Sequence, residues 1–362
     1  MQSVLQIADA IVRSIASLVV IGIGMNAQAV LTVIPSPIMA LCGGFIAFVW
    51  IIPTFWTCFV FGIFGTPHSW KRILQSFQNQ NSVTQNGVSS IFTIFTTLWQ
   101  ALVFRPFHCP KKLRAVLPQW VIPLLFREKP IVIPPIITSS TTVRNEYWIL
   151  VNGLGTNLAM AQQSQERIQR LFGRPCWLYY HPTNSLWFDL LSRFVGDRLG
   201  WTTPSQQPLL FQALHNAIVQ AAAGRYERVV LITHASEVSV TLQSLHDMDP
   251  HFAHLLQRFL EVYTFGGPTI PHVGAYLEHL VNERDAVAWL GVSFPYPRFW
   301  KNVRGTAIPV HGRICKEPEQ WGHMLQAHYL EPMIEKGAFR SSRLHAFRNG
   351  QAGTRVFQLN SS

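Results

Sequence analysis

The chain has 362 residues, 48% of them hydrophobic and only 13% charged, with a formal net charge of +11. That length accommodates one large α/β domain and an appendage, while the scarcity of charge argues against a chain exposed to water throughout and puts part of it in or against a membrane. The basic residues are spread out and come with no nucleic-acid motif, which fits a surface facing anionic lipid and no nucleic-acid partner; the five cysteines are scattered without CxxC spacing and indicate neither a disulfide framework nor a zinc site.

Residues 1–70 read as a hydrophobic helical membrane region. No Asp, Glu, Lys or Arg occurs between Arg13 and Lys71. Within that gap the run 18–34 is apolar apart from Asn26 and Gln28, and the longer run 38–65 contains FIAFVWIIPTFWTCFVFGIFG. About 20 apolar residues cross a bilayer, so the second run is a span and the first a shorter candidate. Pro35 and Pro37 supply the turn of a helical hairpin, and Pro53 would kink the second span. Asp9 ahead of Arg13, and the length of the apolar region, argue for retention rather than signal-peptide cleavage.

Residues 71–142 form a basic juxtamembrane region and linker, in which eight Lys or Arg face only Glu128. By the positive-inside rule this region lies on the cytoplasmic side, and the domain after it would be a cytoplasmic domain on a membrane protein. The stretch from Ile91 to Phe104 fits an interfacial helix or an ordinary core helix equally. Arg127 to Thr142 is Pro-rich and reads as a linker or the entry to an edge strand.

From Tyr147 the pattern changes. YWILVNG reads as a strand, LAMAQQSQERIQRLFG as an amphipathic helix ended by Gly173, CWLYYHP as a strand, LWFDLLSRFVGDRL and PLLFQALHNAIVQAAAG as helices, and RVVLIT as a strand. This alternation predicts an α/β domain over 143–335, a mostly parallel sheet with helices on both faces. A basic tail, 336–362, follows; between Lys336 and Arg355 it carries five Lys or Arg and no acid, as a solvated end would. GLGTN lacks the GxGxxG spacing of a dinucleotide site, and the fourteen histidines form no HExxH, so neither cofactor nor metal is expected.

Two stretches carry the chemistry. Strand WILVNGLGTN ends in Asn152-Gly153-Leu154-Gly155, and glycines after a strand let backbone N–H groups face a cavity as an oxyanion hole requires, which nominates Gly153 and Leu154. RVVLITHASEVSV runs from a β-branched strand into a small, polar turn around Ala235 and Ser236.

The phrases VNGLGTN, LFGRP with YYHPTNSLWFDLL, RVVLITHAS, EVYTFGG, EHLVNERDAVAWLGV and WGHMLQAHYLEPM, in that order between Tyr147 and Met333, resemble a family of fungal membrane-associated α/β-hydrolase-like, lipase-like proteins. The resemblance implies an α/β-hydrolase-like fold, a nucleophile on a strand-to-helix elbow, an acid at Asp285 and a histidine at His323 or His328. Asp285 fits either the acid that orients an imidazole or the N-cap of the helix beginning AVAWLG. His323 follows Gly322 at a loop-to-helix junction and is the favoured imidazole; His328, five residues on, would face another way. Ala235 falls on the nucleophile position, so the elbow is degenerate, and Thr233 and the residues after Ser236 replace its glycines. A one-residue shift would make Ser236 the nucleophile, at the cost of reversing which face each strand residue meets.

The expected function is a membrane-anchored pseudo-hydrolase that binds a lipid or small apolar ester, with membrane lipid as its surroundings and no particular protein partner indicated. Two alternatives stand beside it. One is an active serine esterase or lipase using Ser236, Asp285 and a late histidine. The other is a non-hydrolytic isomerase or cyclase-type step in fungal secondary metabolism run by the histidine and aspartate alone.

Overall fold

A computed structural model describes residues 129–136, 145–153, 156–182, 207–235, 238–267, 270, 272–289 and 310–350. Within them seven strands form one sheet: β1 (Ile131–Ile133), β2 (Glu146–Val151), β3 (Cys176–Tyr180), β4 (Arg228–His234), β5 (Leu260–Phe265), β6 (Tyr276–Arg284) and β7 (Arg313–Trp321). Their spatial order is β1-β3-β2-β4-β5-β6-β7. β1 pairs antiparallel with β3, and every other pairing is parallel. The order reverses between β2 and β4, which begin the two halves of the sheet; in open α/β sheets the crevice beyond the carboxyl ends of such strands receives ligands.

Alternation along the strands splits the core into two layers. Trp148, Leu150, Leu178, Val230, Ile232, Tyr263, Phe265 and Leu280 face one side, and Ile149, Val151, Val229, Leu231, Leu260, Val262 and Leu277 the other. On the first side lie α1 (Leu158–Phe172) and the C-terminal segment that includes Phe339, Leu344 and Phe347. On the second lie α2 (Pro208–Ala222), α3 (Val238–His246) and α4 (Pro250–Phe259). The α/β architecture with helices on both faces is therefore present.

Helix boundaries follow local chemistry. The Asn157 side chain accepts from Met160 N–H at 2.9 Å to start α1, and Gly173 ends it at φ 62°, donating its own N–H to the Gln169 carbonyl. Asp249 caps α4 in the same way through Phe252 N–H at 2.8 Å.

The folded unit exceeds both boundaries expected from sequence. Residues 131–133 belong to the sheet as its edge strand, so this part of the 71–142 region is not a linker. Residues 336–348 are no solvated tail: Ala338, Phe339, Leu344 and Phe347 are buried, and Phe347 meets Trp148 edge-on with ring centroids 5.3 Å apart. Among the described residues no helix is long and apolar enough to cross a membrane. Both apolar runs of residues 1–70, and the helical pattern LWFDLLSRFVGDRL, lie outside the described residues.

Candidate active site

At the carboxyl end of β4 the chain turns sharply. His234 is the last strand residue, and Ala235 follows it at φ 41°, in the left-handed region where non-glycine residues are uncommon and strained. Ala235 is fully buried, and its N–H donates to the Phe265 carbonyl at 3.1 Å, so the bend stays tied to β5. Thr233 before it and Val238 at the start of α3 are both buried, so residues larger than glycine flank the bend. Only a methyl group extends from position 235, and a methyl cannot attack a carbonyl. Ser236 lies outside the described residues.

Asp285 stands immediately after β6 and His323 just after β7. They meet: His323 Nδ1 is 2.8 Å from Asp285 Oδ2, with both side chains almost wholly buried. The other carboxylate oxygen, Oδ1, accepts the N–H groups of Val287 at 2.8 Å and Ala288 at 3.1 Å, which start the short helix α5 (Ala286–Trp289). The N-cap and the imidazole-orienting positions are thus the same residue, one oxygen each. A carboxylate oxygen facing the ring accepts, so Nδ1 carries a proton. The His323 Nε2 is buried and has no hydrogen-bond partner.

His328 does something different. It lies in a π-helical turn (Leu325–Leu330), and its Nδ1 accepts the Met324 N–H at 2.9 Å. A side chain on Gly322, at φ 98°, would collide with this ring. Asn282 holds the same loop from β6, its amide donating to the carbonyls of Gly322 at 3.2 Å and His328 at 3.0 Å. His328 and Asn282 therefore fix the loop that presents His323.

Three neighbours carried no role in the sequence reading. His234 Nε2 donates to the His323 carbonyl at 2.6 Å, and the two rings stack with centroids 4.4 Å apart. Burial, reinforced by the nearby His323 imidazole, holds His234 well below the usual histidine range, so it is a neutral ring. Tyr329 donates its hydroxyl to Asp285 Oδ2 at 2.5 Å and accepts Asn282 N–H at 3.2 Å. Gly266, at φ 54°, passes so close to this cluster that a Cβ there would lie 2.5 Å from Asp285 Oδ2 and 2.8 Å from the Tyr329 hydroxyl. The phrases EVYTFGG and HYL contained Gly266 and Tyr329, but nothing in a linear sequence says that they converge on Asp285.

Gly153, at the end of β2, adjoins His234: a Cβ on it would fall 2.2 Å from His234 Nδ1. Its lack of a side chain is required by that approach. Leu154, its companion in the expected oxyanion-hole region, lies outside the described residues. Among the described residues no three His, Cys, Asp or Glu side chains are grouped so as to hold a metal ion.

No protein-family model matches this chain, and no curated protein does. Solved structures similar to it include an esterase domain from a Rhodothermus marinus protein, at 10% identity and a TM-score of 0.29, covering 58% of this chain and 92% of that one. A dienelactone hydrolase from Anabaena variabilis is similar at 14% identity and a TM-score of 0.30, covering 59% of this chain and 94% of that one.

Proposed function

We propose that this is an α/β-hydrolase-like domain on a membrane-anchored chain, one that lacks a serine nucleophile and holds a lipid or small apolar ester without being acylated by it. A single observation carries the reading: the left-handed bend after β4 bears Ala235, in a domain that keeps an Asp285–His323 pair at 2.8 Å. Bend, acid and imidazole follow one another along the chain in the nucleophile, acid, histidine order of α/β-hydrolases. The ligand class is supported by the family resemblance. Membrane attachment, with the domain on the cytoplasmic face, is supported by the uncharged stretch between Arg13 and Lys71 and the basic region after it.

A fluorophosphonate probe tests this directly. The wild-type chain should stay unlabelled, and Ala235→Ser should acquire label that His323→Ala removes. Labelling of the wild type that disappears in Ser236→Ala would overturn the reading in favour of an active serine esterase.

The unpartnered Nε2 of His323 favours a second reading, in which the imidazole acts as a base on bound substrate in an isomerase or cyclase-type step. Turnover that survives Ser236→Ala and is lost in His323→Ala would select it.

A further inference from the structure

We infer that Tyr329 is a positioning residue of the Asp285–His323 pair, its hydroxyl locking the carboxylate so that the imidazole keeps one orientation and one tautomer. The inference deepens the reading above because it concerns the same pair, but its test reports on that pair whether or not the site turns anything over.

A backbone N–H can only donate, so the Asn282 N–H at 3.2 Å makes the Tyr329 oxygen an acceptor. The single phenolic proton is then free for Asp285 Oδ2, 2.5 Å away. Burial, and the Asp285 charge next to it, push the Tyr329 phenol well above its usual range, so it remains a neutral donor wherever the protein is folded.

Asp285 consequently receives four donors: Val287 and Ala288 N–H on Oδ1, His323 Nδ1–H and the Tyr329 hydroxyl on Oδ2. With its acceptor sites filled from two directions, the buried carboxylate cannot rotate without breaking hydrogen bonds to a charged group, each costly to lose. Tyr329 is delivered by the same segment that delivers His323. Tyr329 lies within the π-helical turn and His323 just before it; such turns widen the chain path at functional sites, and here the imidazole and the phenol reach one oxygen. Gly266 leaves room for that meeting, since its missing Cβ would contact Oδ2, the phenol and Nδ1 together.

Packing alone does not account for the hydroxyl. The ring lies edge-on to Phe265 with centroids 5.5 Å apart and stacks on Phe339 at 5.9 Å. Phenylalanine would keep both contacts and lose only the two hydrogen bonds. On its other side His323 faces the neutral His234 ring, and His328 lies behind Gly322, so Asp285 is the one carboxylate placed against the imidazole among the described residues.

The test is proton exchange of the His323 Nδ1–H, read by NMR on the full-length chain labelled with 15N-histidine and assigned by its loss in His323→Gln. Tyr329→Phe should accelerate this exchange on the order of ten- to a hundredfold, the range expected for losing one hydrogen bond to a charged group. Phe339→Leu, which alters packing against the ring but leaves the hydroxyl bonds, should not accelerate it. Site-specific 3-fluorotyrosine at position 329, a stronger donor of the same shape, should slow it. Wild-type exchange in a folded Tyr329→Phe overturns the inference, as does equal acceleration in Phe339→Leu. Should Tyr329→Phe fail to fold, the fluorotyrosine chain decides, and exchange no slower than wild type overturns the proposal.

Discussion

Asp285 divides its two oxygens between a helix start and an imidazole, and both jobs need a carboxylate. In Asp285→Asn the amide oxygen can still accept from Val287 and Ala288, but its NH2 then faces two donors, His323 Nδ1–H and the Tyr329 hydroxyl. The expected cost is about 3 kcal/mol, the scale of leaving buried donors opposed or unpaired, measured by urea unfolding at pH 7. A loss below about 1 kcal/mol would mean that the carboxylate is not held as described. Ala235 poses the complementary case. Its φ of 41° tolerates glycine but crowds a β-branched side chain, so Ala235→Val should lower stability by more than about 2 kcal/mol while Ala235→Gly stays within about 1 kcal/mol of wild type. Equal thermal midpoints for the two variants would contradict the bend. The sequence left Asp285 as either a cap or an acid because a one-letter code does not say how many oxygens are engaged. It did point to Ala235, because RVVLIT followed by small residues is a local signal.

Residues 336–348 looked like a solvated tail because their charges are all positive over that stretch. The acids they meet lie on distant strands. Arg343 donates through its guanidinium to Glu261 of β5 at 2.8 Å, and its backbone N–H approaches Glu278 of β6 at 3.0 Å. The arrangement continues across the sheet: Arg228 reaches Glu261 at 3.3 Å and Glu146 at 3.5 Å, and Arg174 donates to Glu146 at 2.7 Å. These charges alternate along one sheet face at the end opposite the candidate site, nearly all of them buried. Removing one member of such a network strands its partner, so Arg343→Ala should cost about 3 to 5 kcal/mol in denaturant unfolding. A change under about 1 kcal/mol would show that the segment is not clamped there. β7 was equally hard to read, for another reason. As an edge strand with only Cys315 buried, RICKEPEQW has no alternating apolar signature, whereas the central strands β2 and β4 declare themselves by continuous β-branched and aromatic runs.

At the scale of the molecule, the strand order brings the carboxyl ends of β4, β5, β6 and β7 to one edge, and the pieces of the site come from residues 234 to 329. Periodicity predicted the layers but not this convergence, which depends on pairings between strands far apart in sequence. It also gave no sign of which of the fourteen histidines would be interior. His279, fully buried in the middle of β6, is one. Its Nε2 donates to the His311 carbonyl at 2.9 Å, and its Nδ1 accepts from the Thr264 hydroxyl at 2.7 Å, a pattern that only the neutral ring satisfies. Burial lowers its pKa from 6.5 to about 4. Between those values the unfolded chain takes up a proton that the folded chain refuses, so stability should fall as pH drops from about 6.5 toward 4 and level off below, where the folded ring also protonates. For this histidine the loss is bounded at about 3 kcal/mol. Depressed His234 acts in the same direction. A glutamine amide in place of the imidazole would offer both a donor and an acceptor without titrating, so urea unfolding of His279→Gln across this range should show a shallower acid-side slope than wild type. Identical slopes in the two chains would place the acid sensitivity elsewhere.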